Sequence, residues 1–149
     1  MNWVANDMEM YIKEKEFIDT AVICLRAIDF GENIRKSAEQ NETLTLFEQL
    51  LEKQFKGRMM FLPSFTYVGS PEDSVESLVK WEQILKGNGF KYVFYLTADQ
   101  RLEQMEQMKD KPLFYIPALP LQHVEDKYKR GLIEDQLTKM MPKIVSEWQ

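Results

Sequence analysis

Four short apolar runs, each followed by a stretch in which apolar residues recur at spacings of three and four or by a capped turn, set the rhythm of this chain. The runs are DTAVICLR, RMMFL, KYVFYLT and PLFYIP. They are nearly continuous and rich in β-branched and aromatic residues, as strands are when both of their faces are covered.

Helices are expected between them. NDME places Asn6 as a cap with Glu9 three residues on, a variant capping box that opens a short helix to about Glu16. AIDFGEN reads as a loop, and the segment up to Gly57 carries Leu44, Phe47, Leu51 and Phe55 on one helical face. Pro63 is expected to end the second strand, because proline lacks the amide that a ladder needs. Ser70 as cap and Pro71 at the first position start a helix that turns Val75, Leu78, Val79 and Leu85 inward. Thr97 and Gln100 repeat the capping pattern before Leu102, Met105 and Met108. A last helical region presents Ile133, Leu137, Met140, Met141, Ile144 and Trp148, with Pro142 expected to kink or restart it.

This alternation implies an α/β fold: one domain over residues 1–149, three α/β/α layers around a mostly parallel four-stranded sheet, flavodoxin- or Rossmann-like, with an extra N-terminal helix. Right-handed crossovers point to a strand order of 2-1-3-4.

Ligands of open parallel sheets bind beyond the carboxyl ends of the strands, where the strand order reverses. That edge is expected to collect Arg26, Asp29, Ser64, Thr66, Tyr67, Thr97, Asp99 and His123 as candidate ligand- or partner-binding residues, with Asp29, Tyr67 and His123 together. For Thr97 and Asp99, capping of helix amides is the ordinary alternative role. His123, beside Glu125 and Asp126, has the side chain of a general acid or base. A single histidine after PALPLQ is more often a cap or a surface residue, and it is not assigned to catalysis.

Composition narrows the chemistry. A net charge of −5 with scattered cations disfavours nucleic acid as a partner. The one cysteine, Cys24, sits among apolar neighbours and reads as a buried thiol, with no disulfide framework or multi-cysteine metal set to join. No metal or cofactor is expected: the G-x-G-x-x-G and G-x-x-x-x-G-K-[ST] phosphate loops, the nucleophile elbow and H-E-x-x-H are missing. MNWVANDMEMY lacks the apolar core of a signal peptide, and no run approaches the roughly 20 apolar residues of a membrane span, so a cytoplasmic protein is expected.

Trp3, Asp7 and Tyr11 ahead of KEFIDTAVICL, together with GRMMFLPSFTYVG, GFKYVFYLTADQ, PALPLQHVEDKYK and the terminal EWQ, resemble the YpiF-like family of small uncharacterised proteins from Bacillus-type bacteria. No activity, cofactor or site residue comes with the resemblance. Two classes of function fit the residues. The preferred one is a non-enzymatic binding or accessory protein that uses the strand-end surface for a protein partner. The alternative is an enzyme or small-ligand binder with a polar crevice around Arg26, Asp29, Tyr67 and His123. Converging side chains in a concave pocket would favour the alternative, and an apolar surface the first.

Overall fold

The first apolar run forms β1, Thr20–Ile28, and every pairing in the sheet except the outermost involves it. The computed structural model describes residues 1–149. On one side β1 pairs in parallel with β4, Tyr92–Thr97, which pairs with β5, Leu113–Tyr115. On its other side it pairs with β2, Met59–Phe61, and then with β3, Phe65–Val68. With β2 and β3 sharing one edge of β1, the layout is the expected 2-1-3-4 order of four parallel positions.

β2 stops before Pro63, as expected, but the proline does not end the edge. It interrupts an edge strand that resumes two residues later on the same neighbour. Val22 faces Phe61 and Leu25 faces Phe65, so β1 advances three residues while its partner advances four. One extra residue is accommodated as a bulge, where a proline without an amide does least harm. Because side chains alternate with a period of two, that residue reverses the phase of everything after it. Met59 and Phe61 point to one face of the sheet, whereas Phe65 and Tyr67 point to the other.

The two faces are covered by different layers. On one, Ala21, Ile23, Leu25, Val93 and Tyr95 pack against α3, Glu72–Gly87, through Val75, Leu78 and Leu85, with Met8 and Tyr11 of α1, Ala5–Lys13, at its border. On the other, Val22, Cys24, Phe94 and Phe114 pack against Leu44, Phe47 and Leu51 of α2, Ile34–Gln54, and Ile133, Leu137 and Ile144 of α4, Asp126–Glu147. This is the three-layer α/β/α arrangement with an added N-terminal helix. Cys24 is buried, and desolvation pushes its thiol well above the ordinary value. No helix is long and apolar enough to cross a membrane.

Several local expectations change. α1 starts at Ala5 and ends at Lys13, short of Glu16, and Asn6 does not cap it; instead the Asp7 carboxylate accepts the Asn2 amide at 2.7 Å, while Asn2 is tied to Phe61 by a parallel bridge. α3 begins at Glu72 rather than Pro71, and its Val79 is exposed, because Glu82 takes the inward arc to bind Lys111 and Tyr95. The third crossover is not an α-helix but two 3-10 turns, Gln100–Gln104 and Glu106–Met108. The Asp99 carboxylate bonds the nearby Arg101 amide, and Thr97 serves Asp99 and Leu25 rather than a helix end. α4 runs unbroken through Pro142, which is exposed, as is Thr138, whose carbonyl it deprives of a donor.

The C-terminal turn of α4 is fastened at Trp148. Its indole stacks on Phe94 with centroids 5.6 Å apart, meets Phe55 edge-on at 5.0 Å, lies under the Arg58 guanidinium at 3.9 Å and donates to Thr20 Oγ1 at 2.9 Å. Trp148→Ala should therefore destabilise the fold by about 2–3 kcal/mol, near the lower end for aromatic truncation because the ring is only half-buried. A thermal melt should show a loss of about 5–10 °C, and an unchanged melt would mean that the end of α4 is not docked.

Candidate functional site

Between β1 and β4 the chain order of the sheet reverses, and the space beyond their carboxyl ends is bounded by the start of α2 and the loop after β4. A crevice of about 220 Å³ opens there, lined by Asp29, Lys36, Ser37, Gln40, Asp99 and Arg101 among others. Its position follows from topology, since the chain leaves β1 and β4 on opposite sides and the two departing loops part.

Its floor is a hydrogen-bonded clamp. Tyr67 reaches from β3, across the end of β1, and donates its phenol to Asp99 Oδ2 at 2.6 Å. The reversed phase after the bulge gives Tyr67 this reach. Asp99 Oδ1 accepts the Arg101 amide and Nε at 3.0 Å each, and Oδ2 also accepts Arg101 Nη2 at 2.9 Å. Burial pushes the Asp99 carboxyl up, but the hydrogen bonds from Arg101 and Tyr67 outweigh it and hold the group below its ordinary value. For Tyr67, burial and the Asp99 carboxylate raise the phenol far above its ordinary value. Thr97, fully buried, donates to the Leu25 carbonyl at 3.0 Å and accepts from the Asp99 amide at 3.0 Å.

The wall on the α2 side is equally tied down. Ser37 Oγ donates to the Ala27 carbonyl at 2.9 Å and accepts the Asp29 amide at 3.1 Å, and Asn41 Nδ2 donates to the same Ala27 carbonyl at 2.8 Å. Asp29 Oδ1 accepts the Gly31 amide at 2.6 Å, closing the loop before α2. Arg26, on the α2 face, donates to Ser64 Oγ at 2.8 Å, the Asn41 carbonyl at 3.0 Å and Glu48 Oε2 at 2.9 Å.

The candidate residues thus divide. Asp29 and Asp99 line the crevice, and Tyr67 and Thr97 hold its floor. Arg26 and Ser64 brace β3 and α2 beside it, and exposed Thr66 is the register partner of Arg26. His123 is exposed in the loop between β5 and α4 and does not line the crevice. Lys36, Ser37, Asn41 and Arg101 were not anticipated. The signal for two of them was present: Ser37, Asn41, Leu44, Glu48 and Leu51 follow spacings of four and three, so the inward stripe of α2 begins with polar residues where it passes the strand ends.

Both Asp99 oxygens accept hydrogen bonds from Arg101, and the Tyr67 phenol donates to one of them. The floor is polar and internally hydrogen-bonded, and three large apolar side chains are exposed at neighbouring element ends. Phe30 is 75% exposed just past β1, Ile34 is 54% exposed at the start of α2, and Val68, the register partner of Ile28, is 66% exposed at the end of β3.

Fold and site define a parallel three-layer α/β protein with a small polar crevice at the strand-order reversal. The family described as "Protein of unknown function (DUF2487)" matches residues 9–148, and the chain belongs to it. It is 30% identical over 148 residues to "Uncharacterized protein YpiF" of Bacillus subtilis (strain 168), covering 99% of this chain and 98% of that protein. No solved structure matches.

Tyr67→Phe should cost about 1.5–3 kcal/mol, the scale of a hydrogen bond to a charged group, measured by urea denaturation. The Asp99 carboxyl titrates lower folded than unfolded, so its contribution is present above the ordinary value of 3.8 and disappears as pH falls through the folded value. Asp99→Asn should be less stable than wild type at neutral pH, with the gap closing in acid. A gap independent of pH would show that the carboxylate is not stabilised there.

Proposed function

We propose that this protein is a non-enzymatic cytoplasmic binding or accessory protein, a single α/β domain that recognises a protein partner with its strand-end surface. The observation that carries this reading is the exposure of Phe30 after β1, Ile34 at the start of α2 and Val68 at the end of β3, at the same strand-end edge as a crevice whose acid and phenol are bonded to each other. Large apolar side chains exposed at one edge of the sheet are a feature of interaction surfaces. The crevice, at about 220 Å³, is below the roughly 300–1,000 Å³ of sites that enclose a drug-sized ligand.

A second reading, a small polar ligand within the crevice, is favoured by the convergence of Asp29, Lys36, Asp99 and Arg101. A thermal shift with citrate or inorganic phosphate, lost in Lys36→Ala and Arg101→Ala, would establish it.

Photo-crosslinking residues placed singly at 30, 34 and 68 in the native cells test the preferred reading. One discrete protein adduct is expected from all three positions, competed by excess unlabelled chain and not formed from exposed Lys56 at the opposite edge. No adduct, or the same adduct from position 56, would refute it.

A further inference from the structure

On the face away from the sheet, α2 and α4 run side by side in the same direction, joined at one end by Lys129 and Glu42 and at the other by Phe55 and Trp148. Their seam is not closed. Two cavities, of about 220 and 440 Å³, follow one another along it and share Leu50, Lys53 and Arg130. The floor is apolar: Leu46 and Leu50 of α2 lie four residues apart, and Ile133, Leu137 and Met141 of α4 repeat at the same interval. From Asp126 to Met141 the groove extends about 20 Å at 1.5 Å per residue.

We propose that this groove receives an amphipathic helix of a partner protein, apolar on the inserted face and carrying carboxylates on its flanks. A groove between two helices presents ridges that a third helix can fill over four turns. The charge on the rim chooses the flanks. In a chain of net charge −5, the groove walls carry three cations, Lys53, Lys129 and Arg130, against two acids, Asp126 and Glu134. Lys53 is exposed and forms no ion pair, while Arg130 and Lys129 are engaged by Glu134, Asp126 and Glu42 near the surface. Such surface pairs contribute little, so incoming carboxylates can replace them. A second copy of the chain docked here by a two-fold axis would bring the same basic rim against itself. A lipid surface would meet a recessed apolar floor rather than a raised one.

Two synthetic peptides of about 18 residues, five helical turns, test this: one with leucines on one face and glutamates on its flanks, the other identical with lysines in place of the glutamates. In fluorescence anisotropy the glutamate peptide should bind more tightly by several-fold to about tenfold, the scale of two exposed charge pairs. Lys53→Glu combined with Arg130→Glu should reverse the order without altering the far-ultraviolet circular dichroism or the melt. Equal binding of both peptides, or an unreversed order in the double variant, would overturn the proposal. So would a dimer in sedimentation that the double variant dissolves, or retention on phosphatidylserine vesicles that the double variant loses while neither peptide binds.

Discussion

One residue of slippage between Phe61 and Phe65 decides where the second strand position can send its side chains. Had pairing with β1 continued without the bulge, Tyr67 would share the face of Met59 and Phe61, beneath α2. The extra residue turns it to the α3 face, toward the loop that follows β4. Pro63 marks the position, but the constraint is the register. β4 leaves β1 at Thr97, opposite Leu25, so Arg26, Ala27 and Ile28 are paired only with β3. The carboxyl end of the central strand is therefore held by the part of the edge that the bulge redirects.

From that constraint the strand-end surface takes its properties. Tyr67 bridges over β1 to Asp99, Asp99 fixes Arg101, and Thr97 ties the same loop to Leu25. Across the crevice Ser37 and Asn41 bind the Ala27 carbonyl and lock α2 to the strand. Tyr67, Thr97, Asp99, Ser37 and Asn41 there are all hydrogen-bonded within the molecule. Such bracing supports the binding role proposed for this surface, since a preorganised surface loses less entropy on binding. The open seam between α2 and α4 lies on a separate face, built from the same helices that cover the sheet.

Much of the architecture was legible in the residues. Both-sided burial makes a strand a continuous apolar run, and DTAVICLR and KYVFYLT carry that pattern because β1 and β4 occupy the middle of the sheet. The inward stripes of α2 and α4 repeat at helical spacing. Edge features were less readable. LPSFT has the composition of a turn, yet an edge needs hydrogen bonds on one side only, so pairing can pause at proline and serine and resume at Phe65. The loop after β4 has the residues of a capped helix, but Thr97 is taken by the Leu25 carbonyl, a long-range contact that local pattern does not encode, and Asp99 caps only a 3-10 turn. His123 drew attention for its chemistry, and the structure leaves it exposed beyond the crevice. Ser37 and Asn41 were hidden because polar residues on an apolar stripe look like interruptions until the strand end they bind is known.

The most direct measurement is the titration of the Tyr67 phenol, followed through the carbon-13 shift of its ζ carbon in tyrosine-labelled protein. With Tyr67 turned to the α3 face and donating to Asp99, its signal should hold constant from neutral pH past the ordinary value of 10 to about pH 11. A midpoint near 10 would place the phenol in solvent and contradict the bulged register on which the strand-end surface rests.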